Sequence, residues 1–295
     1  MNNDEINIKI LLKTIWTCKF HIAAIILLSS TIFLGSSYIL PIKYQSSTLL
    51  APSSDQSNIN KMTNQFGAIA TFAGINLGDQ GSTQKDLAIE ILKSRKFIVD
   101  FVERRNILIP LMSSKGWDKS TNKLILDPSI YDSKNKRWAE DLIPTNNQIY
   151  NNWINNIFSY NEDRNTGYIK IIIEHFSPFT SQQWAEWIIE DLNSLMMAED
   201  VREADLAIEF FENEVKKTTS DDLRQLYYKV IQSKKEKKML AYSLKDYALK
   251  TIDPPYLAER KSSPDRLSIL MFGLITGFIF SMIFIISKYP SSNKD

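Results

Sequence analysis

The side chains that most often transfer protons or bind metals are scarce in this sequence. The chain has two histidines, His21 and His175, and one cysteine, Cys18. Histidine works as a general base or a metal ligand only when partner groups lie beside it, and no spacing in the sequence supplies them. Acidic residues are abundant, but no pattern places two carboxylates across a cleft, as glycoside hydrolysis requires. We therefore predict no catalytic, metal-binding or cofactor-binding residue, so the chain is not expected to be an enzyme.

Two other patterns could bind phosphate groups. The first is a set of glycines, Gly67, Gly74, Gly78 and Gly81. They lack the G-x-x-x-x-G-K-[ST] pattern that cradles nucleotide phosphates, which disfavours an ATP site. We expect a mobile loop with short helical pieces there. A basic cluster could contact anionic sugars or lipid phosphates, but a solvated helix face is the favoured interpretation for Lys234, Lys235, Lys237 and Lys238.

Trp184 and Trp187 could stack on sugar rings, because an aromatic face suits the apolar face of a sugar. Together with Ile188 they follow helical spacing, however, which is more typical of core residues. We therefore predict that they are buried.

The elements that must position these residues lie between two apolar segments, residues 21–40 and 267–286. Each has about 20 residues without Asp, Glu, Lys or Arg, long enough to cross a bilayer as a helix. The first lacks a cleavage site, so we interpret it as an uncleaved anchor. Two crossings place both termini, residues 1–20 and 287–295, on the same side, and residues 41–266 on the other.

Charge predicts which side is which. The two tails carry an excess of lysine over acidic residues, which is typical of a cytoplasmic face, at Lys9, Lys13, Lys19, Lys288 and Lys294. Cys18 lies in that cytoplasmic tail, so the exported domain has no cysteine to oxidise. The formal net charge of the chain is +1, which disfavours nucleic acid as a partner.

The exported domain is predicted to begin as an α/β base. Residues 43–51 favour a strand, and a capping box at Thr83 and Asp86 starts a helix that should end near Arg105. Its apolar face is predicted to comprise Leu87, Ile91, Leu92, Ile98, Phe101 and Val102. Residues 106–165 favour loops, short strands and one short helix, and residues 168–176 favour a buried central strand.

Beyond this base the chain has no proline or glycine until Pro254, which predicts a long helical hairpin over about residues 179–250. Its arms should run from Phe179 to Lys217 and from Asp222 to Lys250, with the tip at Thr218–Asp221. Helices of this length must bury their modest apolar faces somewhere, and a second copy of the chain is the simplest partner. We predict a homo-oligomer.

The second apolar segment contains Gly273 and Gly277, a G-x-x-x-G pattern that would let another helix approach closely. Pro254, Pro255 and Pro264 should stop the return helix and stiffen the descent into the membrane. The fold class predicted is thus an α+β membrane protein with two terminal transmembrane helices, an α/β base and a long extended helical hairpin.

This organisation resembles the Wzz-type chain-length determinants, the class 1 polysaccharide co-polymerases of Gram-negative inner membranes. Their signature is P-x2-P-x4-S-P-K, followed about a dozen residues later by a membrane glycine. Pro255, Ser263, Pro264 and Gly277 match it, whereas Ala258 and Asp265 replace the second proline and the lysine. Residues 75–78, 87–95 and 172–178 also resemble the O-antigen length regulators of this family.

The resemblance implies a non-catalytic scaffold that controls the modal length of a lipid-linked glycan, with lipopolysaccharide O-antigen expected. It also implies a separate membrane polymerase as partner, a periplasmic main domain and no cofactor. Two alternatives stay open. One is a co-polymerase for capsule or exopolysaccharide export that works with a separate kinase chain. The other is a two-span periplasmic sensor, although the sequence shows no cytoplasmic output domain.

Overall fold

The structure, a computed structural model, describes residues 16, 19–53, 80–139 and 143–288 of the chain. Most of the predicted glycine-rich loop, the N-terminal tail with Cys18, and residues 289–295 lie outside the described residues. In chain order the elements are α1 (Lys19–Ile39), β1 (Lys43–Pro52), α2 (Gln80–Lys93), α3 (Arg95–Arg104), α4 (Leu108–Ser113), β2 (Ser114–Asp118), β3 (Lys123–Leu126), β4 (Tyr131–Asp132), β5 (Arg137–Trp138), α5 (Asn146–Asn152), a π-helical turn (Trp153–Ile157), β6 (Phe158–Glu162), β7 (Ile169–His175), α6 (Pro178–Lys217), α7 (Asp221–Ser243), β8 (Leu249–Asp253), β9 (Lys261–Ser263) and α8 (Arg266–Lys288).

The chain divides into two compact units. One comprises residues 1–43 and 261–295, and the other comprises residues 44–260. In the first unit, α1 and α8 are each long and apolar enough to cross a membrane. They coincide closely with the predicted segments, so the expectation of two apolar terminal helices is confirmed.

An antiparallel sheet organises the second unit, with strands in the order β6-β7-β1-β8. β7 lies between β6 and β1, as predicted for a central strand, and Ile171 pairs with Tyr160 on one side and Thr48 on the other. Alternate residues of β7, Ile169, Ile171 and Ile173, are fully buried. Branched side chains pack well on such a pleated surface, which explains why this run forms the centre of the sheet.

The core forms where α3 and α6 cover the sheet. Trp153 of the π-helical turn lies between Phe101, at 5.2 Å, and Trp184, at 5.8 Å between ring centroids. Trp184 is only 1% exposed, so the prediction of a core tryptophan is correct for this residue. Trp187 is half-buried against the same core.

The single helix predicted from Thr83 to Arg105 is wrong, because the chain breaks at Ser94. The Ser94 hydroxyl accepts a hydrogen bond from the Phe97 amide at 3.2 Å and caps α3. Serine competes well for backbone groups, so a second helix starts here. Leu87, which was predicted to lie on the buried face, is 54% exposed.

The hairpin is confirmed, but its return arm is shorter than predicted. α6 ends at Lys217 as expected, and Ser220 caps α7 through the Leu223 amide. α7 ends at Ser243 rather than near Lys250, because the residues that follow form β8 and pair with β1, with Leu249 opposite Pro52. The absence of proline and glycine therefore permitted a helix without dictating one.

The region between residues 106 and 165 holds more helix than the one short helix predicted. α4, α5 and the π-helical turn all lie there, together with the small hairpins β2-β3 and β4-β5. A capping box between Thr145 and Gln148 starts α5. The polar sequence of this helix lacks the apolar periodicity on which the prediction depended.

Candidate functional site: terminal helix pair and helical hairpin

The terminal helices α1 and α8 pack closely through two glycines. A Cβ atom on Gly277 would lie 2.8 Å from the Ile26 Cα, and one on Gly273 would lie 3.0 Å from the Phe33 Cβ. The contact at Ile26 is with backbone, which cannot rotate away. The G-x-x-x-G pattern of α8 therefore faces the other terminal helix of the same chain.

Hydrogen bonds cross this same seam. The Ser29 hydroxyl of α1 donates to the Gly273 carbonyl at 2.9 Å and lies 3.1 Å from the Thr276 hydroxyl of α8. Sequence analysis missed both side chains. Their signal was available, however, since a polar residue within an apolar helix usually faces another helix.

The residues of the resembled motif divide between the two units. Pro255 is buried in unit 44–260, where its carbonyl accepts a hydrogen bond from the Gln182 side chain at 3.3 Å. Ser263 ends β9 and Pro264 is buried just before α8, in the other unit. The motif thus covers the chain segment that joins unit 44–260 to the second apolar helix.

Asp265, which stands where the resembled motif has lysine, caps α8. Its carboxylate accepts hydrogen bonds from the Ser268 hydroxyl at 2.6 Å and the Leu267 amide at 3.1 Å. These bonds, the one from Ser268 above all, hold the pKa of Asp265 below its ordinary value. A negative charge suits the first turn of a helix, so the substitution of lysine has a local structural reason.

In the second unit, ion pairs join the two arms of the hairpin. They connect three residues of the basic cluster with carboxylates of α6: Lys237 with Asp200 at 3.0 Å, Lys238 with Asp205 at 2.6 Å and Lys235 with Glu212 at 3.4 Å. The hydrogen bond to Asp205 is the main reason that the pKa of Lys238 is raised. Three of the four lysines therefore join the helices, which differs from the solvated face predicted.

A charged cluster fixes α6 against the end of α3. Asp191 is almost fully buried, and its Oδ1 accepts a hydrogen bond from Arg105 at 2.7 Å, while its Oδ2 lies 3.2 Å from Arg104. Arg105 also reaches Glu190 at 3.0 Å and lies over the Trp187 ring. Burial lowers the pKa of Arg105, but its bonds to these carboxylates outweigh burial, so the pKa is raised overall. The half-buried Trp187 thus has a cation as its neighbour.

The outer part of the hairpin exposes large apolar side chains. Their exposed fractions within one chain are 55% for Leu206, 58% for Phe210, 44% for Leu223, 56% for Tyr228, 72% for Met239 and 63% for Tyr242. Single exposed apolar residues are normal on any protein, but six on two paired helices are unusual. Those outside any groove lining, such as Phe210 and Met239, are available for contact with another protein surface.

The histidines lie in packed surroundings. His175 is buried against the Trp184 ring at 4.7 Å, and its Nδ1 accepts a hydrogen bond from the Ser177 amide at 3.3 Å. His21 lies on α1 and stacks on Phe284 of α8 at 6.0 Å. Within the described ranges, no group of three or more His, Cys, Asp or Glu residues could hold a metal ion.

These features define the class: an α+β protein with two apolar terminal helices and a helical hairpin on a sheet-based domain. Residues 4–104 match the family model of Wzz, the chain length determinant proteins. This match supports the resemblance to the Wzz-type proteins found in the sequence.

Solved structures of co-polymerases are also similar to this chain. A full-length bacterial polysaccharide co-polymerase has 11% identity and a TM-score of 0.36, and the alignment covers 96% of this chain and 98% of that one. A fragment of WzzB, the polysaccharide co-polymerase from Salmonella Typhimurium, has 11% identity and a TM-score of 0.31, with coverage of 75% and 100%. These likenesses are too distant to add to the family match. No curated protein matches the sequence.

Proposed function

We propose that this chain sets the modal length of a lipid-linked surface polysaccharide, and that this polymer is lipopolysaccharide O-antigen. The observation that carries the proposal is the match of residues 4–104 to the chain length determinant proteins. The chain acts as a non-catalytic scaffold and works beside a separate membrane polymerase that makes the bonds. The growing lipid-linked glycan is the object whose length it regulates.

In this proposal the protein lies in the bacterial inner membrane with both termini in the cytoplasm. The lysines of residues 1–20 and 287–295 support this orientation. Residues 21–40 and 267–286 are the two crossings, and residues 41–266 are periplasmic. The periplasm is where a length regulator would meet a surface polysaccharide that is still linked to its lipid.

The scaffold is a homo-oligomer. Its support comes from the apolar side chains that the hairpin exposes in one chain, such as Phe210 and Met239. An apolar surface of this kind is stabilised when another protein surface removes it from water. Repeated copies packed through their hairpins would form a closed ring if the rotation between neighbours closes.

We assign the motif residues to the link between domain and membrane. Gly273 and Gly277 hold α8 against α1, so that each copy enters the membrane as a paired unit. Pro255, Ser263 and Pro264 lie in the chain segment that connects the periplasmic domain to α8, and proline restricts the backbone of that segment. A polymerase bound to the terminal helices would in this way be coupled to the periplasmic domain.

A gel of lipopolysaccharide from the source strain tests the proposal. The gene is deleted and then restored either as wild type or as Phe210→Asp, and the polysaccharide ladder is compared on a gel. We expect deletion to replace a clustered band distribution by an unregulated one and wild type to restore the cluster. Phe210→Asp should fail to restore it and should lower the oligomeric mass of the purified protein in detergent.

Asn213→Asp is the matched control for Phe210→Asp, because it adds the same charge to an exposed position of the same helix. It should restore the cluster and leave the oligomeric mass unchanged. An unchanged ladder after deletion would exclude O-antigen as the polymer, and the same comparison on capsule would come next. An unchanged mass for Phe210→Asp would exclude this face as the subunit contact.

A further inference from the structure

A groove on the hairpin combines an exposed aromatic ring with charged side chains. It has a volume of about 390 Å³ and is lined by Met197, Ala198, Val201, Arg202, Asp205, Leu206, Glu209 and Tyr242. Val201 is buried, whereas the Tyr242 side chain is 63% exposed. The groove therefore has an apolar floor, a tyrosine ring on α7 and three charged groups on α6.

Ion pairs hold two of the three charged groups of the groove, Arg202 and Asp205, in place. Lys238 of α7 bonds to Asp205 of α6 at 2.6 Å, and Arg202 bonds to Glu199 at 2.6 Å. A carboxylate has about four acceptor sites and a guanidinium has five N–H donors, so each group can make further hydrogen bonds. The groove is thus formed before any ligand arrives, as most small-molecule sites are.

We propose that this groove binds a short segment of the polysaccharide, with one sugar ring stacked on Tyr242. A pyranose ring presents a face of C–H groups, which suits an aromatic ring, and a rim of hydroxyl groups, which suits planar charged side chains. Arg202, Asp205 and Glu209 would bond to those hydroxyls. The identity of the glycan rests on the function proposed above, whereas the binding chemistry rests on the groove itself.

The composition of the groove favours a glycan over a second copy of the chain. The centres of subunit interfaces are depleted in charged residues, because a buried charge must be paired to offset its loss of water. The groove has three charged residues in its lining, and Glu209 adds a second negative charge beside Asp205. The more apolar side chain of Phe210 lies outside the lining and suits a subunit contact better.

Saturation-transfer NMR on the full-length protein in lipid nanodiscs tests the proposal. The probe is the lipid-free polysaccharide released by mild acid from the lipopolysaccharide of the source strain, and dextran of similar size is the unrelated glycan. We expect signal transfer to the strain's polysaccharide and much less to dextran. Tyr242→Ala should weaken binding about tenfold or more, whereas Tyr242→Phe, which keeps the ring, should stay within about threefold of wild type.

Tyr228→Ala is the matched control, because Tyr228 is exposed on the same helix but does not line the groove. It should bind as wild type does. The proposal is wrong if wild type gives no transfer, if dextran binds equally well, or if Tyr242→Ala binds as wild type. It is also wrong if Tyr242→Ala lowers the oligomeric mass, since the groove would then be a subunit contact. The proposed function can fail on its own. If deletion leaves the ladder unchanged while the polysaccharide still binds, the proposed function is wrong and the binding proposal is not.

Discussion

Asn193 of α6 makes the same hydrogen bonds with Leu249 that a neighbouring strand would make. Its Nδ2 donates to the Leu249 carbonyl at 3.1 Å, and its Oδ1 accepts from the Leu249 amide at 3.0 Å and from the Ala248 amide at 2.9 Å. Asn193 is only 5% exposed. One helical side chain thus satisfies three backbone groups at the start of β8 and fixes the point where the chain returns from the hairpin to the sheet.

Replacing Asn193 by alanine should destabilise the protein by about 2–4 kcal/mol, because three buried backbone groups would lose their partner. The measurement is urea unfolding of the full-length protein in detergent, followed by tryptophan fluorescence. Asn213→Ala is the control, since Asn213 is exposed on the same helix, and it should change stability by less than about 0.5 kcal/mol. Equal effects of the two changes would contradict the role given to Asn193.

Two neighbouring carboxylates bound to Arg105 should differ sharply in their contributions to the free energy of unfolding. Asp191 has a side chain only 6% exposed, whereas that of Glu190 is 65% exposed. Asp191→Asn should therefore cost about 2–4 kcal/mol, because two arginines lose a desolvated partner. Glu190→Gln should cost less than about 1 kcal/mol, as exposed ion pairs do. Both values come from urea unfolding, and comparable losses would show that burial does not control this cluster.

A methyl group on Gly277 should separate the terminal helices. Gly277→Ala places a Cβ within 2.8 Å of the Ile26 Cα, whereas Gly35→Ala on α1 meets no atom within 4 Å. We expect a loss of about 1–3 kcal/mol for the first change and little or no loss for the second. The measurement is an SDS titration of the detergent-solubilised chain, followed by far-ultraviolet circular dichroism. If both alanine variants titrate as wild type, the seam does not stabilise the helix pair.

Stability should fall at alkaline pH partly through Tyr247. Burial first, and then the hydrogen bond to Asp200, raise the pKa of Tyr247 above its ordinary value of 10.0. A group with a raised pKa in the folded state contributes its full stability below the pKa of the unfolded chain and loses it as pH rises above that value. The advantage of wild type over Tyr247→Phe should therefore be constant up to about pH 9 and should shrink between about pH 10 and about pH 12.

The check for Tyr247 is the difference in urea midpoint between the two proteins at each pH. Tyr228→Phe serves as the control, because Tyr228 is 56% exposed and its removal should not change the pH dependence. A constant difference between wild type and Tyr247→Phe across this range would contradict the prediction.

The sequence predicted the elements whose patterns are local. The two terminal helices, the central strand at Ile169–His175 and the long arm α6 all follow from hydrophobic runs or periodicity. It did not predict the break at Ser94 or the early end of α7. Both depend on competition: a serine hydroxyl takes over a backbone amide in one case, and β1 offers a strand partner in the other.

The candidate site, too, was predictable only in part. The spacing of Gly273 and Gly277 indicated a close helix contact, but it did not say which helix would fill it. The roles of Lys237 and Lys238 were missed, because the carboxylates that pair with them lie on the other arm, more than 30 residues away. Pairings across a hairpin depend on where its tip lies and on how the two helices are aligned.

The helix α6 joins two environments without a break, since its 40 residues begin in the core at Trp184 and continue into the exposed arm beyond Leu206. At 1.5 Å per residue it is about 60 Å long. A tilt of about 5° about Trp184 would therefore move the far end of the helix, at Lys217, by about 4 Å. Substitutions around Trp184 would thus displace the tip of the arm more than any residue near the substitution.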